Sequence, residues 1–92
     1  MPIFIAKPGH ASALESALFR LQAASRTDEG CVDYSVFADL NDVNRFVLHE
    51  EWATQEFLAD HNLQGHVREF LSQTEDLLAE PFAVTTMRAI SG

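Results

Sequence analysis

Residues 31–52 decide the fold: Cys31-Val32-Asp33-Tyr34-Ser35-Val36-Phe37, then Ala38, the polar run Asp39-Leu40-Asn41-Asp42, Val43-Asn44, and Arg45-Phe46-Val47-Leu48-His49-Glu50-Glu51-Trp52. The first and last pieces are β-branched and aromatic, which suits a pleated sheet. The middle is turn chemistry. The stretch therefore predicts an antiparallel hairpin with a loop of several residues. Side chains alternate along a strand, so Phe46, Leu48, Glu50 and Trp52 share one face. Arg45, Val47, His49 and Glu51 share the other. If the face carrying Phe46 and Leu48 meets the helices, it takes Glu50 and Trp52 into the core with it.

Upstream, Ile3-Phe4-Ile5-Ala6 is a short strand stopped by the turn pair Pro8-Gly9. Leu14, Ala17, Leu18 and Leu21 recur at i, i+3, i+4 and i+7, one stripe of a helix over residues 10–27. Ser12 and Glu15 have capping-box spacing, and the helix should stop near Asp28-Glu29-Gly30. Downstream, Thr54 suits the N-cap of a short helix reaching His61. A break at 62–65 follows. Val67, Phe70, Leu71, Thr74, Leu77 and Leu78 then mark a helix ending before Pro81. Residues 82–90, with Val84, Thr85 and Thr86, read as a last strand. The order is β-α-β-β-α-β with the second helical region split. This is the ferredoxin-like α+β arrangement, an antiparallel sheet with helices on one face. Its other sheet face is bare, and a second copy of the sheet is the simplest cover.

Composition sets the frame. Ninety-two residues make one domain spanning 1–92. Forty-seven per cent are hydrophobic and seven are Phe, ample for a core and a further buried surface. The formal net charge is −8, with a single lysine, Lys7. Clustered cations, which nucleic acids and anionic membranes require, are missing. One cysteine, Cys31, forms no internal disulfide. No apolar run approaches a membrane span, and no signal peptide is legible. The reading is a cytoplasmic protein.

Several residues taken together resemble one family. Lys7-Pro8-Gly9 opens the first helix, and Glu29-Gly30-Cys31 with Tyr34 opens the second strand. Phe46 to Trp52 then leads into Phe57, His61, His66 and Phe70. This pattern, above all Glu-x-Trp followed by two histidines and an aromatic, resembles the antibiotic biosynthesis monooxygenase domain. The resemblance implies a dimeric α/β barrel in which two sheets pack face to face. It implies a pocket between sheet and helices in each subunit. It also implies oxidation of phenols or quinols by molecular oxygen without metal or flavin. Other branches cleave haem or act on small metabolites without oxidation. Residues 2–7 hold no asparagine, where haem-cleaving members place a key amide.

The candidate site residues each have two readings. Trp52 is a flat wall for an aromatic ligand, or a large core residue closing the strand end. Glu50 is a proton acceptor, or a carboxylate paired with Arg45, Arg68 or Arg88, or one fixing a helix end. His61 and His66 flank the helix break as a base near the pocket, or cap and bridge the turn at Gly65. Their spacing is not the i, i+4 pattern of two metal ligands on a helix, so a metal triad with Glu50 would arise only by tertiary chance and no metal is expected; the resemblance implies no cofactor. Tyr34 binds a substrate oxygen or packs in the sheet. Asn62 binds substrate or shapes the break. Phe57 and Phe70 are further aromatic walls. His49 belongs to the opposite face and the dimer interface, and His10 to solvent. Cys31 is a small apolar residue rather than a nucleophile.

Three functions are consistent with this set. The leading one is a cofactor-independent monooxygenase of a small hydroxylated aromatic, with His61 or Glu50 as the base. A non-redox isomerase or small-metabolite enzyme, with His61 as acid and base, is the second. The third is a dimeric small-ligand binding protein.

Overall fold

A computed structural model describes residues 2–81. The elements are β1 (Ile3–Ile5), α1 (Ala11–Ser25), β2 (Cys31–Ala38), β3 (Arg45–Trp52), α2 (Gln55–Asn62) and α3 (Gly65–Thr74). The three strands form one antiparallel sheet in the order β1-β3-β2. The arrangement is α+β and ferredoxin-like. The strand expected over residues 82–90 lies outside the described residues.

The hairpin forms as its alternation predicts. Tyr34 pairs with Glu50, Val36 with Leu48 and Ala38 with Phe46. Phe46 and Leu48 are buried, and they pack with Phe4, Tyr34, Phe70 and the α1 stripe Leu14, Ala17, Leu18 and Leu21. Burying a side chain of this size contributes about 1.5–3 kcal/mol, so the inner face holds the layers together. The pairing shifts between Cys31 and Asp33, where β2 carries one extra residue. Cys31 then meets Trp52 on the inner side, and Val32 is left exposed.

The outer face carries Ile3, Val47 and Phe37 in one row across all three strands. Ile3 and Phe37 are 37% and 58% exposed. Next to this row His49 Nδ1 lies 2.9 Å from the Asp33 carboxylate. Both sit on the outer side, as the alternation requires for His49.

Three local expectations change. Ser12 and Glu15 form no capping box. His10 is the N-cap of α1 without a side-chain cap bond, and its backbone N–H donates to the Lys7 carbonyl instead. The Pro8-Gly9 turn, with Gly9 at φ +84°, brings the chain into the helix two residues before Ser12. The helix ends at Ser25, just short of Thr27. The last helix ends at Thr74, well before Pro81. Leu77 and Leu78 leave the helix because their backbone pairs with the end of β1. Lys7 N–H donates to the Leu77 carbonyl, Ala79 N–H to the Ile5 carbonyl, and Ala6 bridges Leu78. A sheet edge offers unpaired donors and acceptors, and this segment takes them up.

Candidate active site

The site gathers at one end of the sheet, where β3 finishes, the α1–β2 loop begins and α2 meets α3. Trp52 is the last residue of β3. Its indole Nε1–H donates to Glu50 Oε1 at 2.8 Å. Residues i and i+2 share a strand face, so this bond follows from the alternation. It uses the donor that a ligand would otherwise meet. Glu50 therefore pairs with Trp52, and neither Arg45 nor Arg68 takes that place; Arg88 lies outside the described residues. Arg45 instead binds Asp39 at 3.1 Å across the hairpin loop.

Thr54 caps α2 as expected, accepting from Phe57 N–H. The cap aims the helix so that His61, in its last turn, enters the protein. Only 4% of the His61 side chain is exposed. Its ring lies 4.5 Å from the Trp52 ring at an interplanar angle of 35°. Tyr34 is 5.4 Å from His61 and 6.4 Å from Trp52. The three rings make one cluster. Burial, then the Glu50 charge, pushes the Tyr34 phenol well above its usual range, so Tyr34 stays a neutral hydroxyl.

The residue that sequence reading missed is Asp28. His61 Nδ1 lies 2.7 Å and His66 Nε2 2.8 Å from the same Asp28 Oδ2. In the sequence Asp28 reads only as part of the stop of α1. Its one legible signal is a carboxylate beside the conformationally special Gly30, and its partners lie more than thirty residues away. His66 sits in the first turn of α3 and is partly exposed, so the two histidines bridge the helix break through Asp28.

The other candidates lie elsewhere. Phe70 is core, edge-on to Phe4 with ring centroids 5.6 Å apart. Phe57 packs on the backbone of Gly30: a Cβ there would lie 2.2 Å from Phe57 Cγ. Among the described residues neither forms a ring–ring pair with Trp52 or His61. Asn62 is exposed at the end of α2. Cys31 is partly buried beside Trp52. Burial first, then Asp28, Asp33 and Glu50, pushes its thiol up, away from thiolate chemistry. An open groove of about 530 Å³ lies beside α1 and the end of the hairpin and is lined by Ser16, Phe19, Gln22, Val36, Ala38 and Phe46 among others. A smaller one, about 180 Å³, lies between α1 and α3 and includes His66 and Phe70. Trp52 lines neither.

This strand end brings an indole, a carboxylate and two paired imidazoles together on the ferredoxin-like sheet of a small α+β domain. Residues 4–73 match the antibiotic biosynthesis monooxygenase family, and the chain belongs to that family. It is 35% identical over 57 residues to the uncharacterized protein sll1783 of Synechocystis, covering 62% of this chain and 39% of that one. It is 32% identical over 60 residues to YcnE of Bacillus subtilis, covering 65% and 63%. It is 29% identical over 84 residues to Rv0793 of Mycobacterium tuberculosis, covering 91% and 82%. The last two are provisionally named as monooxygenases. The match spans less than two thirds of the first two relatives. The Rv0793 structure superimposes with a TM-score of 0.90 over 99% of this chain and 92% of that one, at 25% identity. Among the described residues no helix is long and apolar enough to cross a membrane.

Proposed function

We propose that the chain is a monooxygenase that oxidises a small hydroxylated aromatic, such as a quinol, with molecular oxygen. The observation that carries this reading is the Trp52–His61–Tyr34 ring cluster with a carboxylate bonded into it. Of the two bases considered, Glu50 is favoured. His61 is buried between two rings and its Nδ1 faces Asp28. Glu50 is only half-buried, and its second oxygen makes no hydrogen bond among the described residues. That oxygen takes the substrate's hydroxyl proton. The part of the indole not covered by His61 receives the substrate ring. The resulting anion is electron-rich and reduces oxygen directly. One oxygen atom enters the ring, and the other leaves as water with two substrate hydrogens. The protein supplies orientation and the proton acceptor.

A second copy of the chain covers the outer sheet face, a reading supported by the apolar Ile3–Val47–Phe37 row, whose two ends are exposed. The protein works in the cytoplasm, which suits its single free cysteine.

Oxygen uptake with a panel of quinols and anthrones tests the reaction. Glu50→Gln keeps an oxygen for the Trp52 N–H and removes the base. It should lower kcat about 100-fold or more while the melting temperature holds. Turnover that continues unchanged without oxygen would overturn the oxidation. A Glu50→Gln variant running at the wild-type rate would overturn the assignment of the base.

A further inference from the structure

Asp28, His61 and His66 converge in a way that hydrogen bonding alone does not require. Their three candidate ligand atoms all lie within 4.8 Å of one another. Two imidazole nitrogens from two different helices are aimed at one carboxylate oxygen, at 2.7 and 2.8 Å. No arginine or lysine binds Asp28 among the described residues. The chain's −8 charge favours an incoming cation.

We propose that these three residues form a binding site for a divalent first-row transition metal of the zinc, cobalt or nickel kind. Two imidazoles and one carboxylate are the donor set that such borderline cations take, in preference to magnesium or calcium. At the tetrahedral angle, metal–ligand bonds of about 2.0–2.2 Å would set the nitrogen–oxygen separations at roughly 3.3–3.6 Å. The present separations of 2.7 and 2.8 Å would open by about 0.5–0.9 Å.

The surroundings suit that movement. His61 is the fixed ligand, held by the Trp52 and Tyr34 rings. His66, on the first turn of α3, and Asp28, in the loop after α1, are the adjustable ones. Their side chains are 23% and 11% exposed, which gives the ion a route in and room for water ligands. An imidazole can carry a proton on either ring nitrogen, so a proton on the far nitrogen leaves the one facing Asp28 free to ligate. The site uses neither oxygen of Glu50. It shares His61 with the ring cluster but not the proposed base, and an ion there would stiffen the wall on which Trp52 rests.

The test is titration of the chelator-treated full chain with Co²⁺ and Zn²⁺, followed by calorimetry and by the visible absorption of Co²⁺. No substrate is present, so the outcome does not depend on the oxidation. One ion per chain is expected, with Asp28→Asn and His66→Gln each weakening it at least about tenfold. His49→Ala, which removes the exposed pair with Asp33, should leave it unchanged. In the wild-type chain, Co²⁺ should broaden the ring proton signals of His61 and His66 before those of His10 and His49. No binding up to millimolar metal would overturn the site. So would binding that survives both ligand variants, binding that falls with His49, or broadening that spares His61 and His66. The broadening needs no variant, so it decides the matter even if His66→Gln fails to fold.

Discussion

Replacing Gly30 by alanine should be among the most damaging single-methyl additions in this chain, for two separable reasons. Gly30 has φ +80°, a left-handed conformation that costs an L-residue about 1–2 kcal/mol. The new methyl would also meet Phe57, with Cγ, Cδ2 and Cβ at 2.2, 2.3 and 2.5 Å. Relief requires moving a ring whose helix is tied to the same loop, since Ala53 N–H donates to the Gly30 carbonyl at 2.8 Å. Forced repacking of that kind costs about 1–3 kcal/mol. The sum is about 2–5 kcal/mol, against a total of about 5–15 kcal/mol for a small domain. Each kcal/mol moves the melting point of a domain this size by about 4–8 °C, so a fall of at least about 8 °C is expected. Thermal melts of wild type, Gly30→Ala, Phe57→Ala and the double variant separate the two terms. In the double variant the clash with the ring atoms is gone, while the contact with the Cβ at position 57 and the backbone cost remain. Its loss should be smaller than the sum of the single losses by about 1 kcal/mol or more. Simple additivity would refute the steric argument, and a Gly30→Ala melt within about 2 °C of wild type would refute both.

Two further outcomes follow from the outer face and the hairpin. Phe37→Asp or Val47→Asp places a charge in the apolar row. Sedimentation should shift from dimer to monomer, and a wild-type chain that is already monomeric at micromolar concentration would remove the basis for a covered face. Asp33 is held below the usual carboxylate range by hydrogen bonds from Ser35 and His49, and Asp39 by the Asn41 backbone N–H and then Arg45. A carboxyl whose native value is depressed adds stability above its unfolded value, about pH 3.9, and that stability is lost as pH falls through the native value. Urea melts across the acid range should therefore show less acid-dependent loss in Asp33→Asn and Asp39→Asn than in wild type. Identical acid limbs would count against both interactions.

Much of the fold was legible because it is set by neighbours in sequence. Residues 45–52 announce their two faces by alternation, and the structure buries Phe46 and Leu48 as that requires. Thr54 caps α2 because a cap is a local bond. The end of the last helix was not legible, because Leu77 and Leu78 fit helical spacing as well as they fit a segment pairing with β1. Only the β1 edge decides between the two. The site divides in the same way. Trp52 and Glu50 were read onto one face two residues apart, where they form a hydrogen bond. Asp28 looked like a helix stop, since nothing local says that two imidazoles from α2 and α3 meet it. Phe57 and Phe70 were aromatic and well placed by spacing, yet each has a structural partner, Gly30 and Phe4.

The extra residue between Cys31 and Asp33 works as a phase corrector for β2. Cys31 and Tyr34 are three apart, and regular alternation would send them to opposite sides. The irregularity brings both inward, Cys31 against Trp52 and Tyr34 against Glu50. Deleting Val32 would force one side to yield. Either the loop bearing Asp28 and Gly30 would be pulled one position along β3, or the 33–38 set would turn over and put Tyr34 on the outer face. The hairpin is thus registered in two independent halves. Changes in the site loop can accumulate without disturbing the sheet, so long as that one surplus residue stays.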